Sequence, residues 1–127
     1  MKTFTKTLLG VLLLGFVASA NAAVVQVWTC TLNEGKTGAD IMQASSAWLA
    51  AATGQKGGAD IKVYHDFPLA ATAGSGGFSF VMVLPDAETW GVFTGGYDGS
   101  AAAKADDEWN KVASCSGSSL WESVAVK

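Results

Sequence analysis

The chain has 127 residues, half of them hydrophobic and 15% charged, with eleven acids, eight lysines, no arginine and a formal net charge of −3. That length fits one domain with one core and excludes two separately folding units, and the apolar content excludes a disordered chain. The acidic balance excludes a nucleic-acid partner, because phosphate contact needs clustered lysine and arginine.

Residues 1–22 read as an export signal. Lys2 and Lys6 precede an apolar stretch from Leu8 to Ala18, and Ala20-Asn21-Ala22 forms the small-x-small pattern after which signal peptidase cuts. The stretch is about eleven residues, short of the roughly twenty that span a bilayer. No cysteine follows it to take a lipid. The expected mature chain begins at Ala23, is bacterial and secreted or periplasmic, and has no membrane segment. Without Lys2 and Lys6 it carries six lysines against eleven acids, a net charge of −5. In an oxidising compartment, Cys30 and Cys115 are expected to form a disulfide. No histidine lies near either in sequence and neither belongs to a Cys-x-x-Cys pair, so no metal site is expected from them.

Val24 to Leu32 is rich in β-branched and aromatic residues and ends at Asn33-Glu34-Gly35, which predicts a first strand and a turn. Thr37 stands three residues before Asp40, a capping-box variant, and Ile41, Ala44, Trp48 and Ala52 follow at helical spacing up to Gly54. Ile61 to Phe67 alternates as a short second strand stopped by Pro68. Leu69 to Gly77 is a glycine-rich connection. Phe78 to Leu84 is apolar on both faces, the mark of an interior strand. Asp86 caps a helix carrying Trp90 and Phe93, which Gly95-Gly96 breaks. Ser100 caps its continuation, expected to reach about Ala113, with Ala102, Ala105, Trp109, Val112 and Ala113 inward and Lys104, Asp106, Asp107 and Lys111 in water. Cys115 to Ser119 reads as a turn and Leu120 to Val126 as the last strand.

The order strand, helix, strand, strand, broken helix, strand is the split βαβ arrangement of a ferredoxin-like α+β fold, a four-stranded antiparallel sheet with helices on one face. In it the last strand runs antiparallel beside the first. The end of strand one, with Cys30, therefore faces the start of strand four, with Cys115, which supports the disulfide independently of compartment.

In element order, size and broken second helix, residues 23–127 resemble a subunit of the dimeric α+β barrel superfamily, which includes antibiotic-biosynthesis monooxygenases, stress-responsive dimeric barrel proteins and the NIPSNAP domain. The resemblance implies a homodimer formed through the open sheet face, enclosing a cavity. It does not fix an activity, since the group spans oxygenases, haem proteins, isomerases and proteins with none known.

His65 is the only histidine. By alternation it shares a face with Ile61, Val63 and Phe67, so it either lines a cavity, as general base or haem ligand, or packs in the core or dimer interface. Trp48, Trp90 and Trp109 fall on inward helix faces and read as core. Trp28 and Trp121, on adjacent strands, either line a pocket together or cover the dimer interface; Phe78, Phe80 and Met82 admit the same two readings. Asp106-Asp107-Glu108 reads as a solvated helix face. No phosphate loop, calcium loop or nucleophile elbow is present. The expectation is a dimeric binding or interaction protein for a small apolar molecule, its pocket drawn from Trp28, Phe80, Met82 and Trp121, with no cofactor. The alternative is a monooxygenase-like enzyme acting on an apolar or aromatic substrate with His65 as base; haem on His65 is the weakest reading.

Overall fold

The computed structural model describes residues 22–69 and 76–126. The export-signal reading falls on residues 1–21, and most of the glycine-rich connection on 70–75, both outside the described residues.

The elements are β1 (Ala23–Leu32), α1 (Gly38–Thr53), β2 (Lys62–Asp66), β3 (Gly77–Leu84), α2 (Ala87–Gly95), α3 (Ala101–Trp109) and β4 (Ala113–Ser123). The four strands form one sheet in the order β2-β3-β1-β4, every neighbour antiparallel. This is the split βαβ, ferredoxin-like topology expected from the element order.

Local chemistry sets the helix starts. The Thr37 hydroxyl accepts from the Asp40 N–H at 3.3 Å, and the Asp40 carboxylate accepts from the Thr37 hydroxyl and N–H, both at 2.8 Å; those two bonds to the carboxylate hold it below its usual pKa. Asp86 and Ser100 accept from Thr89 and Ala103 to start α2 and α3. Gly57 sits at φ +81, and a Cβ there would come within 2.8 Å of the Phe93 backbone nitrogen, so only glycine lets the loop after α1 reach α2.

Alternation divides the sheet. Trp28, Cys30, Phe78, Phe80, Met82 and Leu84 face the helices and pack against Ile41, Trp48, Ala52, Phe93, Ala102 and Trp109. Phe80 is the hub of this layer. Trp28, Trp48 and Trp109 stand around it with ring centroids 5.5–5.6 Å away and planes at 73–89°, the edge-to-face geometry that aromatic quadrupoles favour. The other face carries Val25, Val27, Val81 and Val83 with Tyr64 and Trp121, and no helix among the described residues packs on it. β3 lies between β2 and β1; its helix-side residues Phe78, Phe80, Met82 and Leu84 are buried, while on the other face Val81 is buried and Ser79 and Val83 are half-buried.

Boundaries toward the C-terminus differ from the sequence reading, and β4 stops at Ser123, not Val126. α3 ends at Trp109, not near Ala113, and β4 starts at Ala113, taking in the serine-rich stretch read as a turn. Turn bonds from the Lys111 and Val112 N–H groups close the helix, and pairing with β1 draws Ala113 onward into the ladder. Serine and glycine have little strand propensity of their own; here a neighbouring strand supplies the hydrogen bonds. Cys30 and Cys115 are paired across β1 and β4 and joined by a disulfide, so Cys115 lies inside β4 rather than before it. Among the described residues, no helix is long and apolar enough to cross a membrane.

Candidate functional site

Between the sheet and the helices lies a cleft of about 410 Å³, within the range of small-molecule sites. Its floor and walls are Trp28 on β1, Phe80 and Met82 on β3, Trp48 on α1, Phe93 on α2 and Trp109 on α3. Gln26, Thr94, Tyr97, Asp98, Asp106 and Asn110 supply its polar groups, and Cys115 of the disulfide closes one edge. The broken helix creates the mouth. Gly95-Gly96 ends α2, and the five residues before α3 carry Tyr97 and Asp98 across the opening.

Several hydrogen-bond donors in and just behind the lining are used internally. The Trp48 indole N–H donates to the Tyr97 hydroxyl at 2.9 Å, Trp109 to Ser45 at 2.7 Å, and Trp90, just behind the wall, to the Gln26 carbonyl at 3.0 Å. The Thr94 hydroxyl donates to the Trp90 carbonyl. Burial raises the Tyr97 pKa; the Trp48 bond opposes that shift and the Asp106 and Asp107 charges add to it. Burial also raises the Asp106 pKa, against a hydrogen bond from the Asn110 side chain and with a further push from Asp107.

Asp106 corrects the sequence reading. It is half-buried in the cleft wall rather than on a solvated face, because Ala102, Asp106 and Trp109 recur at helical spacing and share one side of α3. Trp28, Phe80 and Met82 line the cleft as candidates did in sequence. Trp121 does not: it pairs with Val25 on the uncovered face, opposite Trp28, with 61% of its surface exposed and its indole N–H donated to Ser119.

His65 also lies outside the cleft lining. It points to the helix side, as alternation requires, but into a packed aromatic group of Phe67, Phe78 and Phe80 at centroid distances of 5.3–5.9 Å. Its Nε2 is 2.8 Å from the Ser45 hydroxyl, and its Nδ1 is buried without a partner. Burial lowers its pKa, with the Asp66 charge opposing. With one nitrogen engaged and the other enclosed, His65 presents no ligand to an open site and does not fit a haem. Among the described residues, no three His, Cys, Asp or Glu side chains gather as a metal site.

Ser45 is the residue that sequence reading missed. It is 5% exposed and joins His65 on β2 to Trp109 on α3 through one hydroxyl. Its signal was its place four residues after Ile41 and three before Trp48, on the inward face of α1.

No protein-family model and no curated protein matches the chain. Solved structures do. SnoaB, a cofactor-independent oxygenase from Streptomyces nogalater, superposes with a TM-score of 0.55 at 11% identity, over 83% of this chain and 96% of its own. A protein of unknown function from Bacteroides thetaiotaomicron gives 0.53 at 13% identity, over 81% and 99%. A dimeric ferredoxin-like protein of unknown function from Thermobifida fusca gives 0.50 at 14%, over 83% and 92%. At these identities the likeness is one of fold.

Proposed function

We propose that the protein is an exported homodimer that binds a small, largely apolar aromatic molecule in the cleft between sheet and helices. The observation that carries this is the cleft itself: about 410 Å³, walled by three indoles and Phe80, and edged by polar groups. Such a wall offers flat apolar surface at little conformational cost, and the polar edge orients what enters. Dimerisation is supported by the uncovered face, where Val25, Val27, Val81, Val83, Tyr64 and Trp121 form an apolar surface. A second copy laid on it face to face buries the same residues on both sides. The Thermobifida fusca protein of this fold is dimeric.

Native mass spectrometry of the protein purified from periplasm, with titration by the neutral dye N-phenyl-1-naphthylamine, tests the reading. A dimer of chains cut after Ala22, and dye fluorescence that rises to saturation, are expected. A monomer would remove the dimer, and a flat titration would remove the ligand cleft.

A second reading is a cofactor-independent monooxygenase-like enzyme on an apolar or aromatic substrate. Its support is the fold shared with SnoaB and the half-buried carboxyl of Asp106, whose raised pKa suits a proton acceptor. His65 is badly placed as the base, outside the lining and tied to Ser45. Oxygen uptake on addition of a phenolic substrate, lost in Asp106→Asn, is its signature.

A further inference from the structure

The cleft has an unbalanced inventory of charge. No lysine or histidine lines it, and the chain has no arginine. Two carboxylates, Asp98 and Asp106, do line it. Among the described residues the one ion pair joins Lys111 to Glu108, so neither aspartate has a countercharge. Of the lining's donors, Trp48 is committed to Tyr97, Trp109 to Ser45 and Thr94 to the Trp90 carbonyl, and the Asn110 side chain bonds Asp106 without neutralising it. What the lining leaves is two carboxylates without a countercharge beside the π-faces of Trp28, Trp48 and Trp109.

An anion entering this space would meet two negative charges and no positive one. A neutral hydrocarbon would fill the aromatic floor and leave a half-buried carboxylate without a countercharge, at a desolvation cost that the raised pKa of Asp106 also reflects. A molecule joining an apolar ring to an ammonium group answers both parts of the lining. Its ring stacks among the indoles, and its N–H donors and charge meet Asp106 and Asp98. Aromatic walls add cation–π attraction, which strengthens as the site is desolvated.

We infer that the cleft is selective for organic cations, namely aromatic or alkyl ammonium compounds, with Asp106 and Asp98 receiving the ammonium and the indoles of Trp28, Trp48 and Trp109 receiving the apolar part. This rests on the ligand-cleft reading above and sharpens it by charge class.

The test compares three soluble probes of similar shape: phenethylammonium, 2-phenylethanol and 3-phenylpropanoate. Each is titrated into the wild-type protein at pH 7.5 and low salt, with tryptophan fluorescence as readout and displacement of N-phenyl-1-naphthylamine as a check. The expected order is ammonium, alcohol, carboxylate, with the ammonium about tenfold tighter than the alcohol, the size of a partly desolvated charge pair. The ratio of ammonium to alcohol affinity should shrink in 0.5 M NaCl and fall toward one in Asp106→Asn. Asp98→Asn, at an exposed mouth position, gives a second and smaller loss that does not depend on the first variant folding well. Equal binding of ammonium and alcohol with the dye still bound would overturn cation selectivity and leave the ligand cleft standing. Failure of all three probes and the dye would overturn both.

Discussion

Ser45→Ala removes one hydroxyl from the inward face of α1 and deprives two ring groups of their partner at once. Trp109 is 5% exposed, so its indole N–H, which donates to Ser45 at 2.7 Å, would be left buried and unpaired. His65 Nε2 would lose its 2.8 Å partner while Nδ1 has none already. Leaving a buried polar group unsatisfied costs about 1–3 kcal/mol, with the half-buried His65 at the low end. Alanine's better helix propensity returns a few tenths of a kcal/mol. The net expectation is a loss of about 2–4 kcal/mol, a large part of the roughly 5–15 kcal/mol that holds a domain of this size. Urea unfolding followed by tryptophan fluorescence reads this as a lower midpoint with an unchanged slope. Ser46→Ala is the control: Ser46 is exposed, bonds only the Met42 carbonyl of its own helix, and should change stability by less than about 0.5 kcal/mol. Trp109→Phe should also cost less in the Ser45→Ala background than in the wild type, because both act on one bond. A Ser45→Ala protein within about 0.5 kcal/mol of wild type would refute the hub role of that hydroxyl.

Two further outcomes are expected. The Cys30–Cys115 bridge closes a loop of sequence separation 85, for which the chain-entropy estimate is about 4.6 kcal/mol. Cys30→Ala/Cys115→Ala, which avoids burying a hydroxyl at fully enclosed Cys30, should therefore lower the melting temperature by roughly 15 °C or more; a shift under about 5 °C would show that the bridge adds little to the stability of the β1–β4 pair. Burial lowers the pKa of His65, so the unfolded chain takes up the proton first and stability falls with pH. The His65 contribution is complete above the unfolded value of about 6.5 and is lost below it. Melting temperatures from pH 7.5 to 5 should decline in the wild type and decline less in His65→Phe; equal slopes would assign the dependence to other groups.

Much of the fold was legible because it is written in local patterns. The Thr37–Asp40 box, the Asp86 and Ser100 caps, the two-faced apolar run of β3 and the glycine break between α2 and α3 act over a few residues, and each behaves as its chemistry requires. Element order then limited the topology, and topology set Cys30 opposite Cys115. The cleft was legible only in its floor, through Trp28, Phe80 and Met82. Asp106 was hidden by its neighbours, since a run of three acids reads as a solvated face until the helix axis is placed. Ser45 was hidden among the small residues of α1, and its role exists only because β2 and α3 bring His65 and Trp109 to it from either side.

Trp121 marks the limit most clearly. Between the Trp28–Ser118 and Cys30–Cys115 pairs, one residue of β1, Thr29, lies opposite two of β4, Ser116 and Gly117, with Gly117 at φ +108. Counting by twos from Cys115 puts Trp121 on the helix face, the same side of the sheet as Trp28. The single inserted residue reverses that parity for the rest of the strand and turns Trp121 outward onto the uncovered face. The sequence by itself determined the elements, their order and the cysteine pair, because these follow from local propensity and short-range spacing. Only the tertiary structure decided which tryptophans enclose the cleft, because the side a strand residue faces depends on every bulge between it and its anchored partner.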